Sequence, residues 1–262
     1  MFFTRSLLIA SVIGSALALS VSTQCQNTII AVAASPRSEC LNPSDLLQVF
    51  LLGNSGSVVT PVDTWLKGLC ARGSCSNDDI ASIVTNVTTG CATDLQPVLG
   101  NAQPGALTPL VQEFYPTVRK GVCLADASKN KQLCITQTLS TIERATGTLT
   151  IDKLLQVVPA IIDGETSSLN GANICTPCVK QIYNVFKNDF PAIFGQGNIA
   201  SNVQANCGAS FVDGVSDPNI VQTASSKTTS GNSNSNTGGS VQTTGQQAPL
   251  LAFLLGLLAL AA

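Results

Sequence analysis

The chain of 262 residues contains no histidine, and this absence limits the chemistry that it can perform. Histidine is the usual general base near neutral pH and completes Ser-His-Asp and Cys-His nucleophile arrangements. It is also a common zinc ligand. The sequence therefore excludes most hydrolase mechanisms and histidine-based metal sites. It predicts no catalytic residue, no metal site and no cofactor.

Aromatic and charged residues are scarce as well. Trp65, Tyr115 and Tyr183 are the only tryptophan and tyrosines, which leaves few rings to stack on a sugar. Two carboxylates are enough for a glycosidase, but no pair stands out here by position. The chain has eleven aspartates and four glutamates, Glu39, Glu113, Glu143 and Glu165. We therefore predict that the protein is not an enzyme and keep a carboxylate-based enzyme as an alternative.

The charge balance gives no reason to expect a nucleic acid partner. Only 11% of the residues are charged, and the formal net charge is −2. Nucleic-acid-binding surfaces carry clustered positive charge, which this composition does not supply.

The first 22 residues have the pattern of a secretory signal peptide. A single basic residue, Arg5, precedes an apolar run over residues 7–19, which is too short to span a bilayer comfortably. Small residues follow, so cleavage after Ala18, Ser20 or Ser22 would fit the small-x-small rule.

The C-terminus has the pattern of a GPI-attachment signal. Residues 250–262 are wholly apolar, and no charged residue follows them. Small residues, a polar spacer at 241–249 and this tail occur in the order that defines such a signal. We predict attachment at Gly238, with Asn236 and Asn234 as rivals, and removal of residues 241–262. The protein would then be held at the outer face of the plasma membrane or in the cell wall, where wall glycan is a further candidate partner.

Residues 223–240 are predicted to form a disordered stalk. Ser, Thr, Gly, Asn and Gln dominate this segment, and it holds too few apolar residues to offset the entropy of ordering. The folded part is therefore expected at residues 23–222.

All ten cysteines lie in this folded part, and after a secretory signal they predict disulfide bonds. They are Cys25, Cys40, Cys70, Cys75, Cys91, Cys123, Cys134, Cys175, Cys178 and Cys207. Cys175 and Cys178 form a C-x-x-C pattern, but no strand-like segment precedes it as in dithiol oxidoreductases. We therefore expect each of the two to bond a different partner.

Helix start and stop signals recur, whereas sustained period-two alternation is hard to find. The fold class is predicted to be all-α, a disulfide-rich helical domain. The predicted helices cover about 42–53, 61–69, 77–90, 107–118, 131–145, 151–162, 177–187 and 199–206, with Thr150 and Thr176 as N-caps.

The cysteine spacing also suggests two tandem related helical units, at 25–115 and 116–215. In each, a long gap, a close pair of cysteines, a medium gap and a last cysteine follow in the same order, and short strings such as LLQV at 46–49 and 154–157 match. Five cysteines per unit is an odd number. If all ten pair, at least one bridge must therefore link the units.

One N-glycosylation sequon, Asn86-Val87-Thr88, occurs in the predicted mature chain. It lies late in a predicted helix, so modification requires Asn86 to face the solvent.

Three segments resemble an uncharacterised family of secreted proteins of basidiomycete fungi. They are YPTVRKGVC at 115–123 with its continuation QLCITQTL at 132–139, CTPC at 175–178 and CGASFVDG at 207–214. The resemblance implies a fungal surface protein, but that family carries no assigned activity. No functional residue follows from it.

The sequence thus favours a non-catalytic, GPI-anchored protein of the cell surface or wall, whose membrane partner is the GPI lipid. An extracellular carrier of a lipid, sterol or other small apolar ligand is the alternative, because stapled helices with few charges can enclose an apolar cavity. A pocket lined by aliphatic residues would favour the carrier, and two close carboxyl groups in a cleft would favour the enzyme.

Overall fold

The computed structural model describes residues 22–51, 56–99, 104–162, 169, 173–195 and 197–227. This part of the chain is mostly helical, as predicted. The helices are α1 Thr23–Ala33, α2 Pro43–Leu51, α3 Val59–Ala71, α4 Asn77–Gly90, α5 Ala92–Leu99, α6 Pro104–Val122, α7 Cys134–Thr146, α8 Ile151–Ile162, α9 Pro177–Asp189, α10 Pro191–Phe194 and α11 Gly197–Cys207. Among the described residues, no helix is both long and apolar enough to span a bilayer.

Several helices begin where the sequence predicts. Thr176 accepts a hydrogen bond from the backbone N–H of Val179 and caps α9, while Thr150 accepts one from Lys153 at the start of α8. At α4, Ser76 and Asp79 form a reciprocal capping box. These side chains satisfy N–H groups that the first helical turn leaves without a backbone partner.

The predicted helix at 131–145 begins later than expected, at Cys134. Asn130 and Lys131 adopt positive φ angles of 53° and 55°, and the next two residues form a strand instead of a helical turn. Helices α1, α5 and α10 were not predicted. Segment α1 starts directly after the predicted signal peptide, where Ser22 supplies its cap.

A small antiparallel sheet accompanies the helices. Its strands are β1 Leu124–Asp126, β2 Gln132–Leu133 and β3 Ile220–Gln222, in the order β2-β1-β3. Ala125 pairs with Leu133 on one side and with Val221 on the other. The sheet therefore brings the end of the described chain back beside its middle.

The largest hydrophobic core contains residues from both predicted repeat units. Leu66 on α3 and Ile142 on α7 are 1% and 2% exposed and belong to this one cluster, together with Leu149 and Leu169. Smaller clusters lie between α4 and α6 and between α1, α4 and α5. Because the main core is shared, the two predicted units pack as parts of one folded body.

Candidate functional site

All ten cysteines are paired, as predicted. The five bridges are Cys25–Cys91, Cys40–Cys75, Cys70–Cys123, Cys134–Cys178 and Cys175–Cys207. Cys175 and Cys178 bond different partners, so the C-x-x-C pattern is a structural one and not a reactive dithiol. The bridge Cys70–Cys123 links the two predicted repeat units, as the odd cysteine count requires.

The bridges nevertheless divide the chain at a different place from the predicted unit boundary. Three bridges connect only cysteines within residues 25–123, which we call the N-terminal bridged segment. Two connect only cysteines within residues 134–207, the C-terminal bridged segment. No bridge joins these segments, and the hairpin of β1 and β2 is the covalent link between them.

The two predicted units share one equivalent bridge. Their second and fourth cysteines pair in both, as Cys40–Cys75 and Cys134–Cys178. The fifth cysteine pairs with the first in one unit and with the third in the other. The equivalent pairing of the second and fourth cysteines favours a tandem duplication, whereas the pairing of the other cysteines differs between the units. The duplication therefore stays a prediction.

The motif at 115–123 holds the loop between the close cysteines Cys70 and Cys75. The Tyr115 hydroxyl accepts a hydrogen bond of 3.0 Å from the backbone N–H of Cys75. Burial raises the pKa of Tyr115, with the Cys75 bond and the Arg119 charge acting in the opposite direction. These contacts give the motif a structural role.

Arg119, in the same motif, is 5% exposed, and its guanidinium hydrogen-bonds backbone carbonyls. Its guanidinium donates to the oxygens of Leu69 at 2.8 Å and Arg72 at 2.5 Å, at the end of α3. A cation at a helix C-terminus is favourable because the last carbonyls carry partial negative charge. Arg119 thus replaces the helical partners that these carbonyls lack.

The start of the predicted stalk packs against this site, which corrects the expected boundary at residue 222. We call residues 223–227 the strap. Thr223 donates from its N–H and hydroxyl to the Cys123 carbonyl, and Ser225 donates from its N–H to the Cys70 carbonyl at 2.7 Å. The Lys227 carbonyl accepts from Ser74. The strap therefore contacts the backbone of both cysteines of one bridge.

An apolar groove lies between α1, α2 and α4. Ser38 is the polar residue at its wall, and its hydroxyl donates to the Val32 and Ser35 carbonyls. The free volume is about 40 Å³, far below the volume of a site for a drug-sized ligand, roughly 300–1,000 Å³. The other lining residues are Ile29, Val32, Ala33, Leu41, Pro43, Leu46, Leu47, Ile83 and Val87.

A second, more open pocket of about 190 Å³ lies beside the strap. Lys67 and Lys131 line it together with Cys70, Leu133 and Thr223. Lys67 is already paired with Asp63 at 2.7 Å, and Asp63 also accepts from Thr136 on α7. The pocket is thus a solvated surface beside a polar contact between the two bridged segments.

The carboxylates proposed for the alternative enzyme are dispersed. Glu39 and Glu113 are exposed. Glu143 accepts a hydrogen bond from the backbone N–H of Leu149, and Glu165 lies outside the described residues. Four described carboxyl groups have shifted pKa values, and in all four the pKa is lowered: Asp94, Asp126, Asp189 and Asp213. A general acid of the glycosidase type needs a raised pKa instead.

Asn86 is exposed on α4, as its modification requires. Thr88 of the same sequon is 7% exposed, and its hydroxyl donates to the Val84 carbonyl at 2.6 Å. Glycosylation of Asn86 stays a prediction. The predicted attachment residue Gly238 and its rivals Asn236 and Asn234 lie outside the described residues.

Sequence reasoning missed the strap, the carbonyl contacts of Arg119 and a contact between Ser22 and Asp94. Backbone hydrogen bonds do not depend on side-chain composition, so a Ser/Thr-rich strap carries no signal of its own. The apolar pair Ile220 and Val221, which Gln222 separates from the strap, was the available clue to an ordered strand before it.

Comparison with known proteins gives no identification: no protein family model, no curated protein and no solved structure matches the chain.

Proposed function

We propose that the chain is a non-catalytic protein of the cell surface or cell wall, secreted and held there by a GPI anchor at its C-terminus. It is a fungal protein on this view, as the three resembling segments suggest. The folded domain would be displayed at the outer face of the plasma membrane.

The pairing of all ten cysteines is the observation that carries this proposal. Thiols are kept reduced in the cytosol, whereas disulfides form and persist in secretory and extracellular compartments. A chain with five bridges, each interlaced in the sequence with at least one other, is suited to an oxidising route. The apolar stretches at both ends of the sequence fit entry to that route and attachment at its end.

The strap adds a mechanical argument for a C-terminal tether. A stalk that follows residue 227 would continue from backbone held against Cys70 and Cys123. Force on the stalk would then reach a bridged part of the domain, and not a fraying terminus.

The proposal is tested by expressing the full chain in a fungal host beside a chain that ends at Pro249. We expect the full chain on the cell surface, releasable by a phosphatidylinositol-specific phospholipase C or by wall-digesting glucanase. The shortened chain, which lacks the apolar tail, should appear in the medium. The same distribution for both chains would contradict the anchor.

The attachment residue is tested by introducing a bulky side chain, because the attachment site requires small residues. Gly238→Trp should send the protein away from the surface, and Gly231→Trp in the same polar segment is the matched control. If Asn236→Trp or Asn234→Trp has this effect and Gly238→Trp does not, the rival residue carries the anchor.

The apolar groove favours a second candidate, a carrier of a small apolar ligand. Its walls are aliphatic, but it would have to open to admit a lipid. Native mass spectrometry of the secreted protein tests this candidate. A bound mass of a few hundred daltons that is lost on denaturation would favour the carrier, and a glycosylated chain without such a mass would contradict it.

A further inference from the structure

Ser22 is fixed to the folded domain at the point where the predicted signal peptide ends. Its hydroxyl accepts from the backbone N–H of Cys25 at 3.2 Å and so caps α1. The Ser22 carbonyl accepts from Gln26 and starts the helical hydrogen-bond pattern.

The same residue is held by a carboxylate from α5. The Ser22 backbone N–H donates to Asp94 Oδ1 at 2.8 Å, and its hydroxyl donates to Oδ2 at 2.6 Å. The side-chain bond, followed by the backbone bond, lowers the pKa of Asp94. The bridge Cys25–Cys91 joins the same two regions, three residues after Ser22 and three residues before Asp94.

A chain that began at Thr23 would lose all of these contacts. The cap of α1 would be absent, and Asp94 would lose both Ser22 donors. A new α-ammonium group would also stand at the positive end of the helix dipole, where a positive charge is unfavourable.

We propose that the mature protein begins before Ser22, at Leu19 or Val21, and that Ser22 is retained as the residue that fastens α1 to α5. This inference rests on the proposed secretion of the chain. Of the three cleavage positions that the small-x-small rule allows, it selects those after Ala18 and Ser20.

The test is N-terminal sequencing of the full-length protein recovered from its host. A first residue of Leu19 or Val21 is expected. A first residue of Thr23 would overturn this inference and leave the proposed secretion standing. Retention of residues 1–18 would overturn the secretion itself, so the two failures are distinguishable.

A stability measurement tests the role of Ser22 independently. Ser22→Ala leaves a small residue beside the cleavage positions but removes the cap and the bond to Asp94 Oδ2. We expect its Tm to fall by about 3 °C, because the loss of a helix cap lowers the Tm of a domain of this size by a few degrees. The control is Thr23→Ala, because Thr23 is the exposed neighbour.

Asp94→Asn should lower the Tm as well. The Tm of the double variant, Asp94→Asn with Ser22→Ala, should fall by less than the sum of the two single decreases. Such non-additivity is expected of two residues in one contact. Equal Tm values for Ser22→Ala and Thr23→Ala would overturn the assigned role.

Discussion

The N-terminal and C-terminal bridged segments differ in how their cysteines are used. Residues 25–123 contain six cysteines in three bridges, and residues 134–207 contain four in two. The sequence suggested five and five, with a boundary at 115. Helix α6 continues across that boundary to Val122, so Cys123 reaches Cys70 in the N-terminal segment. Covalent organisation therefore follows the helices and not the apparent repeat.

The two segments are nevertheless not independent. They share the main core, and Thr117 on α6 donates to Asp189 on α9 at 2.6 Å, beside the Lys120–Asp189 ion pair. Burial raises the pKa of Asp189, but the bonds from Thr117 and Lys120 and the Lys120 charge outweigh this, and its pKa is lowered. The strap then returns from the C-terminal segment to the N-terminal one.

The largest expected effect comes from removing Cys70–Cys123, one of the three buried bridges of the N-terminal segment. Cys70→Ala with Cys123→Ala should lower the free energy of unfolding by about 5 kcal/mol, since loop closure and core packing are both lost. Chemical denaturation followed by circular dichroism measures this change.

The matched control is Cys175→Ala with Cys207→Ala, whose sequence separation is 32 instead of 53. The loop-closure entropy that this bridge removes from the unfolded chain is nearly the same, but both cysteines are partly exposed. We therefore expect the free energy of unfolding to fall by about 3 kcal/mol. Two separate unfolding transitions in the first variant would show that the segments fold independently, against the shared core.

A smaller loss is expected from Arg119→Met, which leaves the carbonyls of Leu69, Arg72 and Ser225 without their donor. Buried hydrogen bonds to a charged group predict a decrease of about 3 kcal/mol in the free energy of unfolding. The exposed Arg144→Met is the matched control, with an expected change below about 0.5 kcal/mol. Similar values for the two variants would refute the role assigned to Arg119.

Removal of the strap should lower the stability by less than Arg119→Met does. A chain that ends at Gln222 loses the bonds to Cys123 and Cys70, and we expect it to be about 2 kcal/mol less stable than a chain that ends at Lys227. Thermal unfolding of the two chains measures the difference. Equal stability would mean that the strap is part of the stalk, as the composition suggested.

The smallest effects concern two carboxylates, the half-buried Asp94 and the exposed Asp213. Hydrogen bonds from Ser22 lower the pKa of Asp94. The hydrogen bond from Lys180 is the largest cause of the lowered pKa of Asp213. A lowered folded-state pKa means stability that is present above the unfolded pKa of about 3.9 and is lost as pH falls below it. We expect Asp94→Asn and Asp213→Asn each to be less stable than the natural chain at pH 7. Unfolding measured from pH 7 to pH 2 should show that this difference in the free energy of unfolding disappears only at low pH.

Salt distinguishes these two residues. Asp213 faces the charges of Lys180 and Lys187, whereas the partner of Asp94 is the uncharged Ser22. Because salt screens exposed charge pairs, 1 M salt should reduce the effect of Asp213→Asn more than that of Asp94→Asn. The opposite order would contradict this account of the two shifts.

Local sequence signals predicted the helices well and the long-range contacts poorly. Caps such as Thr150 and Thr176 act within one turn, so their neighbours in the sequence reveal them. Arg119 resembled an ordinary charge on a helix, and its burial depends on the end of α3, 47 residues away from it at Arg72. Cysteine partners likewise depend on tertiary distance, which spacing alone does not encode.

The arrangement of the bridges determines how the protein would break under a protease. A single cut within residues 25–123 or 134–207 leaves fragments that are still joined by a disulfide. A cut between Leu124 and Leu133 leaves two fragments with no bond between them, and Lys129 and Lys131 are exposed there. On a non-reducing denaturing gel, trypsin cleavage at this hairpin would therefore release two bands, while nicks elsewhere between Cys25 and Cys207 would leave one.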